Sequence, residues 1–121
     1  MKLKTAILTL TILMSITNTN AKSEAEIKEL NWRIYDLLKE ANTARDDSVV
    51  ALEMDFNKEF ARQKCKQINA LENLITLSNN NSDNSSVKEI GVTATKTLNK
   101  VLIEMMSGSV KKEDVCNYGL S

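Results

Sequence analysis

The sequence of 121 residues contains no histidine. Histidine is the usual general base of enzymes, the commonest metal ligand in proteins and the proximal ligand of many haem groups. Its absence excludes ordinary Ser–His–Asp and Cys–His catalytic sites, and also the Glu-x-x-His metal sites of helical di-iron bundles. We therefore expect that the protein is not an enzyme and that it holds no metal ion or other cofactor.

Proline is also absent, and glycine occurs only three times. Both residue types interrupt helices, so their scarcity favours long helices and argues against strands joined by tight turns. The predicted fold is all-α. It is a small antiparallel three-helix bundle, made of a helical hairpin and a third helix and stapled by one disulfide, after a cleaved signal peptide.

The charges of the chain are balanced, with 16 basic and 16 acidic residues. No run of basic residues is interleaved with aromatic ones, so we expect no binding to nucleic acid. A strongly cationic helix face is missing too, which argues against adsorption to anionic membranes. The remaining candidate partners are proteins.

Residues 1–21 have the pattern of a secretory signal peptide. Lys2 and Lys4 precede an apolar stretch at residues 6–16, and Ala21 ends a run suited to a cleavage site. The apolar stretch is about half of the roughly 20 residues that cross a bilayer. We therefore expect a single helical domain at residues 22–121, periplasmic or secreted and with no stable membrane insertion. An uncleaved N-terminal anchor is the alternative.

Apolar residues recur three and four positions apart in three segments, which is the spacing of one helix face. Two of the segments open with the capping-box pattern Ser-x-x-Glu, formed by Ser23 with Glu26 and by Ser86 with Glu89. The predicted elements are helices at residues 24–44, 48–78 and 87–106, and a short C-terminal turn of helix at residues 110–116.

The boundary between the first two predicted helices is weakly marked. Asp46, Asp47 and Ser48 are suitable N-cap residues, which favours a turn within residues 42–48. No glycine or proline enforces a break there, so one continuous helix is the alternative.

A polar, low-complexity run at residues 78–86 predicts the loop between the second and third helices. Asn80 and Asn84 each begin an Asn-x-Ser triplet in it, the acceptor pattern for N-glycosylation. Asn-rich loops also produce such triplets by chance, and chance occurrence is the favoured interpretation.

Cys65 and Cys116 are the only cysteines. An even number of cysteines behind a signal peptide predicts a disulfide in an oxidising compartment. Closing a loop of about fifty residues stabilises a fold by roughly 4 kcal/mol in the chain-entropy model. The bridge would pin the C-terminal tail onto the second helix. An intermolecular bridge is the alternative, whereas a redox site would need the two cysteines close in sequence.

Aromatic side chains mark a second face of the first helix. Trp32 and Tyr35 lie away from its apolar stripe, together with Lys28, Asp36 and Lys39. Trp and Tyr are enriched in binding hot spots, so these five residues are the candidate partner-binding site. The alternative is that the third helix or the tail covers them.

Three polar residues fall within the wide apolar arc of the second predicted helix, namely Glu53, Asn57 and Lys64. Buried charge is costly unless it is paired. We therefore expect these residues at the edge of the arc with their polar ends in water, rather than lining a polar groove.

The predicted function is that of an exported, non-enzymatic helical module that binds another protein of unknown identity. One setting for it is an accessory component of a cell-envelope secretion or conjugation assembly. Self-association into a homodimer is an alternative use of the same faces.

Two further functions differ in class. An immunity protein or inhibitor would neutralise a toxin or hydrolase in the same compartment with an acidic surface. A hydrolase that uses carboxylates alone would need a pair such as Asp55 and Glu59, one helical turn apart. The acidic residues considered for the immunity protein or inhibitor are Asp46, Asp47, Asp83, Glu113 and Asp114.

Overall fold

The computed structural model describes residues 23–108 and 110–120, and all the regular secondary structure within them is helical. The all-α prediction is therefore confirmed. The predicted signal peptide lies outside the described residues. None of the described helices is long and apolar enough to cross a membrane. The helices are α1 (Glu24–Glu53), α2 (Asn57–Asn79), α3 (Ser85–Ser107) and α4 (Lys112–Leu120).

Helix α1 begins at the predicted capping box. The Ser23 hydroxyl accepts a hydrogen bond from the backbone N–H of Glu26 at 3.1 Å, and the Glu26 carboxylate accepts one from the N–H of Ser23 at 3.3 Å. Two of the unpaired N–H groups of the first turn are thus satisfied, and the acidic side chain lies where the helix dipole favours it.

The turn predicted within residues 42–48 is wrong, because α1 continues through it to Glu53. Ser48 does not cap a new helix. It is fully buried, and its hydroxyl donates to the carbonyl of Arg45 at 2.7 Å inside the same helix. Ala41, Ala44 and Ala51 extend the buried stripe along this part of α1, so packing against α2 holds the segment helical.

The chain reverses instead at residues 54–56. Asp55 has a left-handed backbone conformation with φ of 58°, which aspartate adopts more readily than most residues. Phe56 precedes α2 without a side-chain hydrogen bond to the helix. The segment from Val49 to Glu53, predicted to open the second helix, therefore closes the first.

Helix α3 begins at Ser85, two residues before the predicted start. Its N-cap is Asn84, whose side chain accepts hydrogen bonds from the N–H groups of Ser86 and Val87 at 3.1 and 3.3 Å. The predicted cap at Ser86 is therefore wrong. Asn84 is also buried, so it is a poor glycosylation acceptor, whereas Asn80 is exposed.

Helix α2 is the centre of the fold, since α1, α3 and α4 each pack against it. Ile68, Leu71 and Leu74 on α2 are almost inaccessible to solvent. Against α3 the backbones come so close that a methyl group added at Gly91 would overlap the side chain of Ser78. The Ser78 hydroxyl donates to the Val87 carbonyl across this contact at 2.9 Å.

The tail forms α4, a helix of nine residues rather than the short turn predicted at residues 110–116. The sulfur atoms of Cys65 and Cys116 lie at disulfide distance, 2.03 Å apart, which confirms the predicted intramolecular pairing. Lys112 forms an ion pair with Glu72 at 2.8 Å near the start of α4. Along α4 the contacts move from Glu72 back to Cys65 of α2, so α4 runs antiparallel to α2.

The end of α4 touches the backbone of α2. The Arg62 guanidinium donates to the Gly119 carbonyl at 3.3 Å. A Cβ atom at Gly119 would lie 2.5 Å from the backbone nitrogen of Arg62, closer than real Cβ atoms approach. Glycine is therefore required at this position for α4 to lie as close to α2 as it does.

Candidate functional site

The five predicted partner-binding residues share one side of α1, opposite its buried stripe of Leu30, Ile34 and Leu38. We call this side the aromatic face; it consists of Lys28, Trp32, Tyr35, Asp36 and Lys39. All five are exposed except Tyr35, which is partly buried and packs against the core. In the described part of the chain no other helix covers Trp32, whose side chain is 60% exposed.

The two aromatic rings support each other. The ring centroids of Trp32 and Tyr35 lie 5.9 Å apart with an angle of 79° between the planes, an edge-to-face arrangement. Such pairs are favourable because the positive edge of one ring meets the negative face of the other. Since Tyr35 is held by the core, it restricts Trp32 while leaving most of the indole in water.

The aromatic face continues into two grooves along the seam between α1 and α2. The first, of about 490 Å³, is lined by Asp36 and Lys39 together with Lys66 of α2. The second, of about 630 Å³, is lined by Asp36, by Asn73 of α2 and by Asn80 just after α2. Charges of both signs and amide groups thus line the grooves that adjoin the aromatic face at Asp36, as in the polar rim of a protein-binding surface.

A second site, which the sequence did not predict, lies at the other end of α1. An apolar pocket of about 180 Å³ is formed there by residues of all four helices. We call it the Lys64 pocket. Its walls include the Lys64 side chain and the apolar residues Val49, Leu52, Phe60, Val101, Met105 and Val115.

Lys64 is buried, with 6% of its surface exposed, so the expectation that it lies at the edge of the apolar arc is wrong. Glu53 and Asn57 are exposed, as expected. The Lys64 ammonium donates a hydrogen bond to the Gln67 side-chain oxygen at 3.0 Å and lies 5.7 Å from the centre of the Phe60 ring. Its nearest partners are therefore a neutral amide and an aromatic ring.

Burial lowers the pKa of Lys64 below its ordinary value of 10.5, because the ammonium loses its hydration. The carboxylate of Glu104 opposes this decrease in pKa, and the guanidinium of Arg45 adds to it. No carboxylate of the described chain lies within 4.0 Å of the Lys64 nitrogen. A buried cation in a small apolar pocket is typical of functional sites.

The carboxylate pair considered for a hydrolase is not formed as predicted. Asp55 lies in the turn before α2, and only Glu59 is in the helix. The Glu59 carboxylate accepts hydrogen bonds from Arg62 at 2.7 Å and from Gln63 at 2.6 Å, so it is held by its own helix. Among the described residues there is no group of three or more His, Cys, Asp or Glu side chains arranged to hold a metal ion.

The acidic residues considered for a neutralising protein lie on different elements. Asp46 pairs with Arg45 at 2.6 Å within α1, while Asp83 lies in the turn beyond the end of α2. Glu113 and Asp114 belong to the first turn of α4. No contact draws these carboxylates into one acidic surface in the part of the chain that is described.

Comparisons with protein-family models, with curated proteins and with solved structures found no match to this chain.

Proposed function

We propose that this protein is an exported, non-enzymatic helical module that binds a protein partner through the aromatic face of α1. One observation carries the proposal: Trp32 is 60% exposed although it is the only tryptophan and stands beside an anchored tyrosine. A large, restricted and solvent-exposed indole gains much from burial against a partner and loses little conformational entropy.

The scaffold suits this use. The predicted three-helix bundle would hold α1 on a rigid base, in which the Cys65–Cys116 pair fixes α4 to α2. A cysteine pair at disulfide distance favours an oxidising compartment, which supports a periplasmic or secreted location. An accessory role in a cell-envelope secretion or conjugation assembly is the setting we propose. Neutralisation of a toxin or hydrolase is not favoured by any specific contact.

The test places a photo-cross-linking amino acid at Asp36, on the aromatic face, and at Val92, which is 48% exposed on α3. In producing cells we expect an adduct of one defined mass from position 36 and none from position 92. Trp32→Ala should abolish that adduct, because losing a hot-spot aromatic residue weakens binding by about 30-fold or more.

Stability measurements separate binding from folding. The free energy of unfolding of Trp32→Ala should differ from the parent by less than about 1 kcal/mol, since an exposed side chain contributes little to the core. If Trp32→Ala unfolds, Trp32 has a structural role in the fold and the proposal is wrong. Sedimentation of the oxidised protein then identifies the partner class: a dimer that Trp32→Ala dissociates means a second copy, and a monomer means a foreign protein.

A further inference from the structure

We propose that the Lys64 pocket binds a small monocarboxylate, with its apolar body inside the pocket and its carboxylate at the Lys64 ammonium. This site is independent of the proposed function. Val49 of the pocket lies roughly 26 Å along α1 from Trp32, at the usual rise of about 1.5 Å per residue. Neither site shares a lining residue with the other.

The shape of the pocket limits the ligand. Its inner wall is buried and apolar, formed by Val101, Met105 and Val115. Its rim is open to solvent at Leu52, which is 47% exposed, and at Val110, which is 37% exposed. An apolar cavity of about 150 Å³ accommodates benzene, so about 180 Å³ fits one aromatic ring or a short alkyl chain that enters from the rim.

The charge of the pocket selects the head group. Lys64 is more than nine-tenths buried and borders the pocket, yet its hydrogen-bond partner is the neutral Gln67 side chain. Burying a cation without a counter-ion is costly. The pKa of Lys64 is lowered mainly by this loss of hydration. A ligand carboxylate would supply a counter-ion at hydrogen-bond distance, and a charge-assisted hydrogen bond in an apolar site is strong.

One neighbouring group opposes this ligand. Glu104 lines the pocket and is exposed, and its negative charge would repel a carboxylate. Arg45 is the other charged group close enough to affect Lys64, and it adds positive charge. The two neighbours thus act in opposite directions, and the buried ammonium sets the preference for an anion.

The experiment is a titration of the purified, oxidised protein with phenylacetate at fixed ionic strength, followed by amide chemical shifts. We expect saturable shifts at Leu52, Lys64 and Val101, and none at Trp32. The neutral analogue 2-phenylethanol should bind at least about 10-fold more weakly, since it provides the same ring without the charge.

Two variants make the test specific. Lys64→Met keeps an apolar side chain of similar length, and it should weaken phenylacetate at least about 10-fold while leaving 2-phenylethanol within about twofold. Glu104→Gln removes the opposing charge from an exposed position, and it should tighten phenylacetate by about two- to fivefold. The second variant keeps the test valid even if Lys64→Met alters the fold.

Several results would overturn the proposal. One is equal affinity for phenylacetate and 2-phenylethanol. Another is that folded Lys64→Met binds phenylacetate as tightly as the parent. A third is that the amide chemical shifts around the pocket do not change up to a 20-fold molar excess of phenylacetate at millimolar protein. Much tighter binding of N-acetylphenylalanine would instead assign the site to the C-terminal residue of a peptide and overturn the small-molecule ligand. None of these outcomes depends on the aromatic face.

Discussion

Helices α1 and α2 differ more in their surroundings than in their composition. Helix α2 buries eleven of its 23 residues, whereas α1 buries seven of its 30. The sequence of α2 is no more hydrophobic than that of α1, and its buried residues include Gln63, Lys64 and Gln67. Burial here follows from position in the fold, because three helices cover α2 and α1 packs on it along one stripe.

This difference separates stability from recognition. The helix that is covered on several sides holds the core, and the helix that is covered on one side presents the aromatic face. It also explains the unusual environment of Lys64. This polar residue is buried because residues of α1, α3 and α4 surround it on the central helix. Substitutions that alter the packing around α2 should separate the two roles, and the largest expected effect comes first.

Removing the disulfide should produce the largest change. Cys116→Ser opens a loop whose ends are 51 residues apart, which costs roughly 4 kcal/mol of unfolding free energy in the chain-entropy model. Hydrogen exchange should accelerate most on the α4-facing side of α2, around Cys65. Urea unfolding measures the first effect.

The matched control is reduction of the parent protein with dithiothreitol, which should reproduce the loss and leave Cys116→Ser unaffected. A change below about 1 kcal/mol in both experiments would show that α4 contributes little to the cover of α2.

A methyl group at the α2–α4 contact should have the next largest effect. Gly119→Ala would place Cβ against the Arg62 backbone, and we expect a loss of about 1–3 kcal/mol because that backbone cannot move aside as a side chain could. Alanine is otherwise the better helix former by about 1 kcal/mol, so destabilisation would oppose the intrinsic trend.

Gly108→Ala serves as its control. The nearest atom to a Cβ there is the Met105 carbonyl oxygen at 3.5 Å, an ordinary contact. The free energy of unfolding of this variant, measured by thermal denaturation, should lie within about 0.5 kcal/mol of that of the parent. Equal melting temperatures for the two glycine variants would contradict the close approach of α4.

The smallest expected effect is at Lys64. Lys64→Met should raise the unfolding free energy at neutral pH by about 1 kcal/mol, because it removes the cost of burying an ammonium. The pKa of Lys64 is lowered in the folded protein, so the unfolded chain binds the proton more tightly. The stability of the parent should therefore rise with pH through the alkaline range, from the lowered pKa up to the ordinary value of 10.5.

This dependence distinguishes Lys64 from other groups. Lys64→Met should lack the rise, so that the difference in stability between the two proteins narrows as pH approaches 10.5. Parallel pH profiles in chemical denaturation would show that the amine is hydrated after all.

The sequence predicted features that depend on local pattern. Ser23 and Glu26 cap α1 as expected, the two cysteines pair, and Trp32 is exposed away from the apolar stripe, whereas Tyr35 is partly buried against the core. The cap and the helix face follow from cap chemistry and helix periodicity, and the cysteine pairing follows because the chain has only two cysteines. Whether the aromatic face binds a partner stays a prediction.

The errors arise where tertiary packing decides. Ser48 has the chemistry of an N-cap, yet it is buried inside α1 against α2. The turn at Asp55 is not marked by a glycine or proline in the sequence. Lys64 could not be recognised as buried, because residues of three other helices surround it, and those of α3 and α4 are distant in sequence. The Lys64 pocket was missed for the same reason.

The covalent link between Cys65 and Cys116 also divides the chain topologically. It makes residues 65–116 a closed ring that contains all of α3, while α1 remains on an open arm. A single proteolytic cut at the exposed residues Ser82 or Asp83 would leave the two pieces covalently joined until reduction. A cut at the turn of Asp55 would leave α1, with its aromatic face, joined to the rest by noncovalent contacts alone. The surface proposed for recognition thus lies on the arm outside the ring, and the strongest cross-link of the molecule does not retain it.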